Sequence, residues 1–186
     1  MEEINKFRTF NRLKSIYRFC SVGERKETTA EHTWACLMLA DFFLTKYNFD
    51  LDRLKVYELL MYHDVVEIEA GDTPLHPNIN SDGKKEKEEK AAEELKKLLP
   101  EHQSKKFELL FDEYENQKTK EARFAKAIDA LEAVIHELDY KTDWKDWTKE
   151  FLIEKKEKYF EEFSEIKISF NDIVCFLEDN GYFNQK

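Results

Sequence analysis

Apolar side chains recur at three- and four-residue steps through most of the chain, which is the period of an amphipathic α-helix. Phe7, Phe10, Leu13, Ile16 and Tyr17 form the first stripe, predicted to end near Gly23 with Arg18 in its last turn. Thr28 and Glu31 have capping-box spacing, so a second helix is expected to start there and run through Trp34, Leu37, Met38 and Phe42, with His32 in its first turn. Asp50 is the expected cap of a third helix carrying Leu54, Tyr57, Leu60 and Met61. Gly71-Asp72-Thr73-Pro74 then reads as a turn, and residues 75–83, with Pro77 and Gly83, as a loop. The charge-rich stretch from Lys84 keeps a stripe of Ala91, Leu95, Leu98 and Leu99, so its charges read as a solvated face. Phe107, Leu110, Phe111 and Tyr114 mark a further helix, and Phe124, Ile128, Leu131, Ile135 and Leu138 mark a long one. Trp144 and Trp147 precede a helix with Phe151, Tyr159, Phe160 and Phe163, and Ile173, Val174, Phe176 and Leu177 close the pattern. The expectation is an all-α fold of about eight or nine helices, forming one domain over residues 1–186.

Composition supports helices over a sandwich or barrel: 38% of residues are charged, and there are only four glycines and three prolines. A formal net charge of -10 disfavours a nucleic-acid polymer as partner, because affinity for one comes largely from Lys and Arg neutralising phosphates. Cys20, Cys36 and Cys175 are odd in number, widely spaced and set among apolar residues, which reads as reduced core thiols and a cytoplasmic location. No apolar stretch approaches the roughly 20 residues of a membrane span, and the N-terminus lacks the pattern of a secretion signal. A soluble protein that is not exported is expected.

The chemistry concentrates at His63-Asp64, which follows the apolar run Leu59-Leu60-Met61-Tyr62. Neighbouring helix residues are offset by about 100°, so this pair reaches one ion only where the helix ends or bends. Burying an imidazole and a carboxylate beside an apolar helix is costly unless they are paired or hold a metal. His32 upstream and Asp129 downstream supply two more candidate ligands. Two imidazoles and two carboxylates suit one divalent ion such as Co, Mn, Ni, Fe or Zn, with coordination positions left over for water and substrate.

The combination resembles the HD superfamily of metal-dependent phosphohydrolases, whose pattern is a His, then His-Asp, then a distant Asp on successive helices. Here that pattern falls on Glu31-His32-Thr33, Tyr62-His63-Asp64 and Ala127-Ile128-Asp129. With Asn11-Arg12-Leu13-Lys14 to Arg18-Phe19, Glu67 and Gly71-Asp72-Thr73-Pro74, the chain looks like the branch containing the HD-domain 5'-deoxynucleotidases, over about residues 7 to 140. The resemblance implies a helical HD fold, one divalent metal on His32, His63, Asp64 and Asp129, and removal of phosphate from deoxyribonucleoside 5'-monophosphates. It further implies that Arg18 orients the phosphate, with Phe19 beside it, that Glu67 is the catalytic carboxylate, and that Asp72, Thr73, Pro74 and Leu75 line the sugar pocket. The family often carries tryptophan where Phe19 stands. Gly181-Tyr182-Phe183 departs from the Gly-Tyr-Pro motif of the cyclic-dinucleotide phosphodiesterase branch.

Those roles agree with the demands of the reaction. Phosphate monoester hydrolysis needs on the order of 20 kcal/mol of stabilisation, supplied by charge and positioning. Arginine offers a planar fork of donors to phosphoryl oxygens, which lysine does not. Glu67 follows Asp64 by three residues, close to the metal set yet outside it, where a carboxylate can move a proton. Hydrolysis of a nucleoside triphosphate, an alarmone or another phosphoester by an HD enzyme is open at this level, as is a non-catalytic module that binds ligand through metal. A homodimer is expected from the resemblance and the aromatic-rich second half.

Overall fold

The structure, a computed structural model, describes residues 1–183; the last three residues of the expected domain, 184–186, lie outside the described residues. A short helix α1 (Glu2–Phe7) leads into a 3-10 segment (Arg8–Ser15) and a two-stranded hairpin, β1 (Tyr17–Val22) and β2 (Arg25–Thr28). Helices α2 (Thr29–Lys46), α3 (Arg53–Tyr62) and the one-turn α4 (Glu67–Ala70) follow. After the loop come α5 (Lys84–Leu98), α6 (Glu101–Glu115) and α7 (Lys120–His136), then α8 (Lys149–Lys156) and α9 (Ser164–Asp179). The fold is helical apart from the hairpin, and its buried apolar residues join into one cluster running from Leu13 to Tyr182.

Helix α7 is the axis of the core. It packs on α2, α3, α6 and α9, and its stripe of Phe124, Ile128 and Leu131 is fully buried. Burying such side chains stabilises the fold by roughly 1.5–3 kcal/mol each. The same contacts set the three helices that carry His32, His63 and Asp129 around one point.

The hairpin replaces the helix expected through residue 17 and beyond, so Arg18 sits on a strand rather than in a last helical turn. The hydrophobic period switches from helical to alternating at this place: Arg18 and Cys20 turn inward while Tyr17 and Phe19 face outward. Val22 pairs with Arg25 across a two-residue turn, and Gly23 takes φ +57, a left-handed conformation that suits glycine and the twist of a hairpin. The hairpin is tied to the C-terminal half. The Ser21 N–H and hydroxyl donate to Asp143 at 2.6 and 3.0 Å, and the Gly23 N–H donates to the Tyr140 hydroxyl at 3.1 Å.

Three smaller expectations are also corrected. Asp52, not Asp50, caps α3, accepting from the Lys55 N–H at 3.2 Å. Cys175 is exposed, while Cys20 and Cys36 are buried free thiols. The charged face of α5 is not wholly solvated, because Glu88 is buried and pairs with Lys84 at 3.4 Å.

The capping box at the start of α2 is present in both directions. Thr28 Oγ1 accepts from the Glu31 N–H at 3.3 Å, and Glu31 Oε2 accepts from the Thr28 N–H at 2.9 Å. It holds the first turn of the helix that presents His32. Thr28→Ala is expected to lower unfolding free energy by about 1 kcal/mol, read from urea denaturation midpoints at unchanged m-value.

Candidate metal centre and cavity

Helix α3 ends at Tyr62, and His63 and Asp64 fall in the turn between α3 and α4, which lets both side chains point the same way. His32, one turn into α2, and Asp129, midway along α7, complete the cluster. His63 Nε2 lies 2.9 Å from Asp64 Oδ2, and His32 Nε2 lies 3.1 Å from Asp129 Oδ1 and 3.8 Å from Asp64 Oδ2. Both imidazoles are buried.

Each ring is fixed through its other nitrogen. His63 Nδ1 is 2.7 Å from the Leu60 carbonyl, which can only accept, so Nδ1 carries the hydrogen and donates. His32 Nδ1 donates in the same way to Glu132 at 2.5 Å. Both Nε2 atoms therefore turn their lone pairs toward the carboxylates in the neutral rings, the arrangement of imidazoles prepared for a metal. His63 Nε2 is buried without a hydrogen-bond partner, because its short contact with Asp64 lacks hydrogen-bond geometry. Such an orphaned acceptor beside two carboxylates fits a cation held between them.

The local field says the same. Burial and the Arg18 charge oppose a proton on His32, yet its pKa is held well above the ordinary value, with the hydrogen bond to Asp129 among the causes, so the cluster attracts positive charge. Burial also opposes ionisation of Asp129, but Lys126 and the two imidazoles keep it well below the usual carboxylate range. Lys126 Nζ is 3.4 Å from Asp129 Oδ2, which also accepts from the Tyr114 hydroxyl at 2.7 Å.

Several participants escaped the sequence reading. Glu132 lies one turn after Asp129 on the same face of α7, a spacing that could have flagged it. Tyr114 had been absorbed into a core stripe. Cys36, one turn after His32, places Sγ 3.5 Å from His32 Nε2 and within reach of the same ion. Burial pushes its thiol up to about 12, so it stands as a neutral thiol beside harder donors.

The cluster opens onto a cavity of about 300 Å³. Arg18, Phe19, His63, Asp64, Glu67, Asp72, Thr73, Pro74, Leu75 and Asp129 all line it, with His32 behind the wall. Glu67 opens α4, is buried, and accepts from the Thr29 hydroxyl at 2.7 Å. Burial, reinforced by the Asp64 and Asp72 carboxylates, holds its pKa well above the ordinary value. Gly71 takes φ +70, turning the chain out of α4 so that Asp72 reaches the cavity. Arg18 Nε lies 3.0 Å from buried Glu27, and Nη1 lies 3.8 Å from Asp64. Lys84, Lys126 and Lys156 line the cavity as well, none of them anticipated.

The remaining histidines are placed apart from the metal cluster. The His76 ring lies 5.1 Å from that of Phe19 and 6.2 Å from that of Trp147, His102 is exposed, and His136 lies 3.5 Å from Glu27. Cys20, Glu27 and His136 group closely, but Arg18 already occupies the Glu27 carboxylate.

A helical body whose His, His-Asp and Asp side chains meet at the wall of a cavity defines a protein of the HD class. The HD domain family profile matches residues 10–167, and the chain belongs to that family. Among curated proteins, it is 32% identical over 117 residues to the 5'-deoxynucleotidase HDDC2 of Xenopus laevis, covering 63% of this chain and 57% of that protein. It is 27% identical over 143 residues to the HDDC2 of Dictyostelium discoideum, covering 72% of this chain and 75% of that one. The chain thus spans little more than half the length of the vertebrate relatives it matches. Among solved structures, a predicted metal-dependent phosphohydrolase from Magnetospirillum magnetotacticum MS-1 superposes with TM-score 0.83 at 29% identity, covering 99% of this chain and 95% of that one.

At one side of the cavity, burial pushes Glu137 up to about 7, with Lys156 opposing and Asp143 adding to the shift. The folded protein holds this proton more tightly than the unfolded chain, so ionisation of Glu137 weakens folding as pH rises. Relative to Glu137→Gln, wild-type stability is expected to fall between about pH 4.5 and about pH 7, by up to about 3 kcal/mol. Urea denaturation of both proteins from pH 4 to pH 8 measures the difference.

Proposed function

We propose that this protein hydrolyses the 5'-phosphate of deoxyribonucleoside monophosphates with one divalent metal. The observation that carries the reading is the meeting of two buried imidazole lone pairs and two carboxylates at the wall of a cavity that Arg18 and Glu67 also line. His32, His63, Asp64 and Asp129 would hold Co, Mn, Ni, Fe or Zn, and the 5'-deoxynucleotidase names of several relatives support the substrate class. A metal bound there supplies Lewis acidity toward phosphoryl oxygens and lowers the pKa of water.

Arg18 binds and orients the phosphate, with Glu27 setting the direction of its fork. Glu67 carries the proton that is transferred: burial and the Asp64 and Asp72 carboxylates raise its pKa and so favour its protonated form, and the Thr29 hydroxyl fixes its rotamer. Asp72, Thr73, Pro74 and Leu75 border the sugar, and Phe19 borders the phosphate end. The buried free thiols Cys20 and Cys36 support a cytoplasmic location, and the acidic net charge supports small-molecule rather than polymer substrates.

Deoxy- and ribonucleoside mono- and triphosphates incubated with each metal are expected to give inorganic phosphate from the deoxynucleoside monophosphates. A chelator abolishes that release, and Glu67→Gln lowers turnover by roughly 10²–10⁴-fold while metal content stays at the wild-type level. No release with any metal overturns the reading, and release of pyrophosphate or triphosphate transfers it to another phosphoester.

We infer, too, that the protein is a homodimer. Trp34, Met38 and Phe42 lie one helical turn apart on α2, and each is more than half exposed. Antiparallel pairing of two copies of α2 about Met38 would cover this stripe and set Glu31 of one copy near Lys46 of the other. Light scattering is expected to give a dimer for the wild type and a folded monomer for Trp34→Glu. A monomeric wild type refutes the dimer, and a dimeric Trp34→Glu, Met38→Glu double variant refutes this surface.

A further inference from the structure

Lys156 is the last residue of α8, in a segment to which no functional role has been given, yet its side chain lines the same cavity as Arg18, Glu67 and Asp129. It is 9% exposed. Its Nζ donates to the Ala130 carbonyl at 3.0 Å, and no carboxylate of the described residues lies within ion-pair distance of it. An ammonium has three hydrogens to donate, so two are left over after that bond. Burying a lysine without a counter-ion is costly, and proteins avoid it unless the charge has a task.

Its neighbours narrow the task. Of the other lysines that line the cavity, Lys84 pairs with Glu88 and Lys126 with Asp129, each at 3.4 Å, Lys155 pairs with Glu154 at 2.7 Å, and Lys158 is exposed, its ammonium 5.0 Å from the centre of the Tyr159 ring. Lys156, buried and without a carboxylate of the described residues within ion-pair distance, instead shares the cavity wall with Arg18, whose Nε faces Glu27 at 3.0 Å and whose Nη1 lies 3.8 Å from Asp64. Ala130 directly follows the candidate ligand Asp129, so the bond from Lys156 to its carbonyl brings the ammonium to the metal end of the cavity. Ala130 and Ala133 line the cavity beside it and take little of its space.

We propose that Lys156 is a second phosphate-binding residue, donating to a non-bridging oxygen of the substrate's phosphate together with Arg18. The inference rests on the reading of this cavity as a phosphomonoester site. A phosphate dianion in reach of both groups adds a directly bonded counter-charge to the more distant one that Asp129, Glu137 and Glu132 supply, and burial then strengthens rather than penalises the contact. Burial pulls the lysine's pKa down against the opposing Asp129 and Glu137 charges, so an anion bound beside it would favour its charged form. The competing account is structural, in which the bond to Ala130 only pins α8 to α7. Removal of the charge separates the two, since a pin affects stability and a phosphate contact affects binding.

The test is binding of inorganic phosphate to the metal-loaded protein by isothermal titration calorimetry, for wild type, Lys156→Met, Lys156→Arg and the net-charge control Lys105→Met. Lys156→Met is expected to weaken phosphate roughly tenfold or more, Lys156→Arg to recover part of the loss, and Lys105→Met to match the wild type. With a hydrolysed deoxynucleoside monophosphate, the Lys156→Met loss should appear in KM as well. Wild-type phosphate affinity in Lys156→Met overturns the proposal, as does an equal loss in Lys105→Met. Should Lys156→Met fail to fold, the ε-methylene NMR signal of Lys156, assigned through Lys156→Arg, must shift on phosphate addition to the wild type; an unmoved signal overturns it. The calorimetric and NMR measurements need no turnover, so a protein that binds phosphate through Lys156 yet hydrolyses no deoxynucleotide would fail the functional reading and leave this one standing.

Discussion

The contact between the His32 and His63 Nε2 atoms and the Asp64 and Asp129 carboxylates is the constraint around which the molecule is arranged. With both Nδ1 hydrogens committed to Glu132 and Leu60, unprotonated Nε2 atoms would turn lone pairs to anionic oxygens at 2.9–3.1 Å. That arrangement is repulsive unless a positive charge sits among the four groups. A proton on His32 meets the need in part, which is why its affinity for one is raised. A divalent ion meets it more fully, because it takes several lone pairs at once. The core must hold α2, α3 and α7 in register against this repulsion, and α7 does so through a stripe of side chains that are fully buried.

Sequence periodicity was enough to place α2, α3 and α7, with His32 and Asp129 on α2 and α7 and His63 just past α3. Of these three predicted stripes, only that of α7, with Phe124, Ile128 and Leu131, is fully buried, while Trp34, Met38 and Phe42 of α2 and Leu54 and Met61 of α3 are exposed. The end of α3 at Tyr62 follows from the chemistry, since an adjacent His and Asp converge only outside a regular helix. The β-hairpin was not legible in the same way. Residues 16 and 17 extend the helical stripe of Leu13, so the change to alternation shows only once Arg18 and Cys20 are known to point inward. What fixes that choice lies far along the chain, in Asp143 and Tyr140, and local pattern cannot register it. Asp50 and Asp52 were equivalent caps by type, and only the backbone conformation at Asp52 separates them.

Glu132, Tyr114 and Cys36 illustrate a different limit. Each sits in a helix where its spacing also serves packing, so the pattern assigns it to the core. Their roles are relational: Glu132 matters because it reaches His32 from another helix, and Tyr114 because it reaches Asp129. Supporting hydrogen bonds of this kind are set by packing angles, which amphipathic patterns leave free. Asp129 and Glu132 together orient one ligand and provide another from a single face of α7, so a small rotation of that helix would disturb both.

The proposed phosphate site has to reconcile an anionic substrate with a net charge of -10. Charges on the outer surface are screened beyond about 8 Å at physiological ionic strength, whereas groups inside a cavity act at short range and in a lower dielectric. The balance there is decided by pairing. Lys84 and Lys126 pair with Glu88 and Asp129, while Lys156, among the described residues, bonds only a backbone carbonyl and shares the cavity wall with Arg18. One small dianion can satisfy both together with a metal in the neighbouring cluster. On the proposed reading, a polymer of phosphates would leave its remaining charges against the acidic exterior, so a site that takes a single phosphate would disfavour a long chain of them.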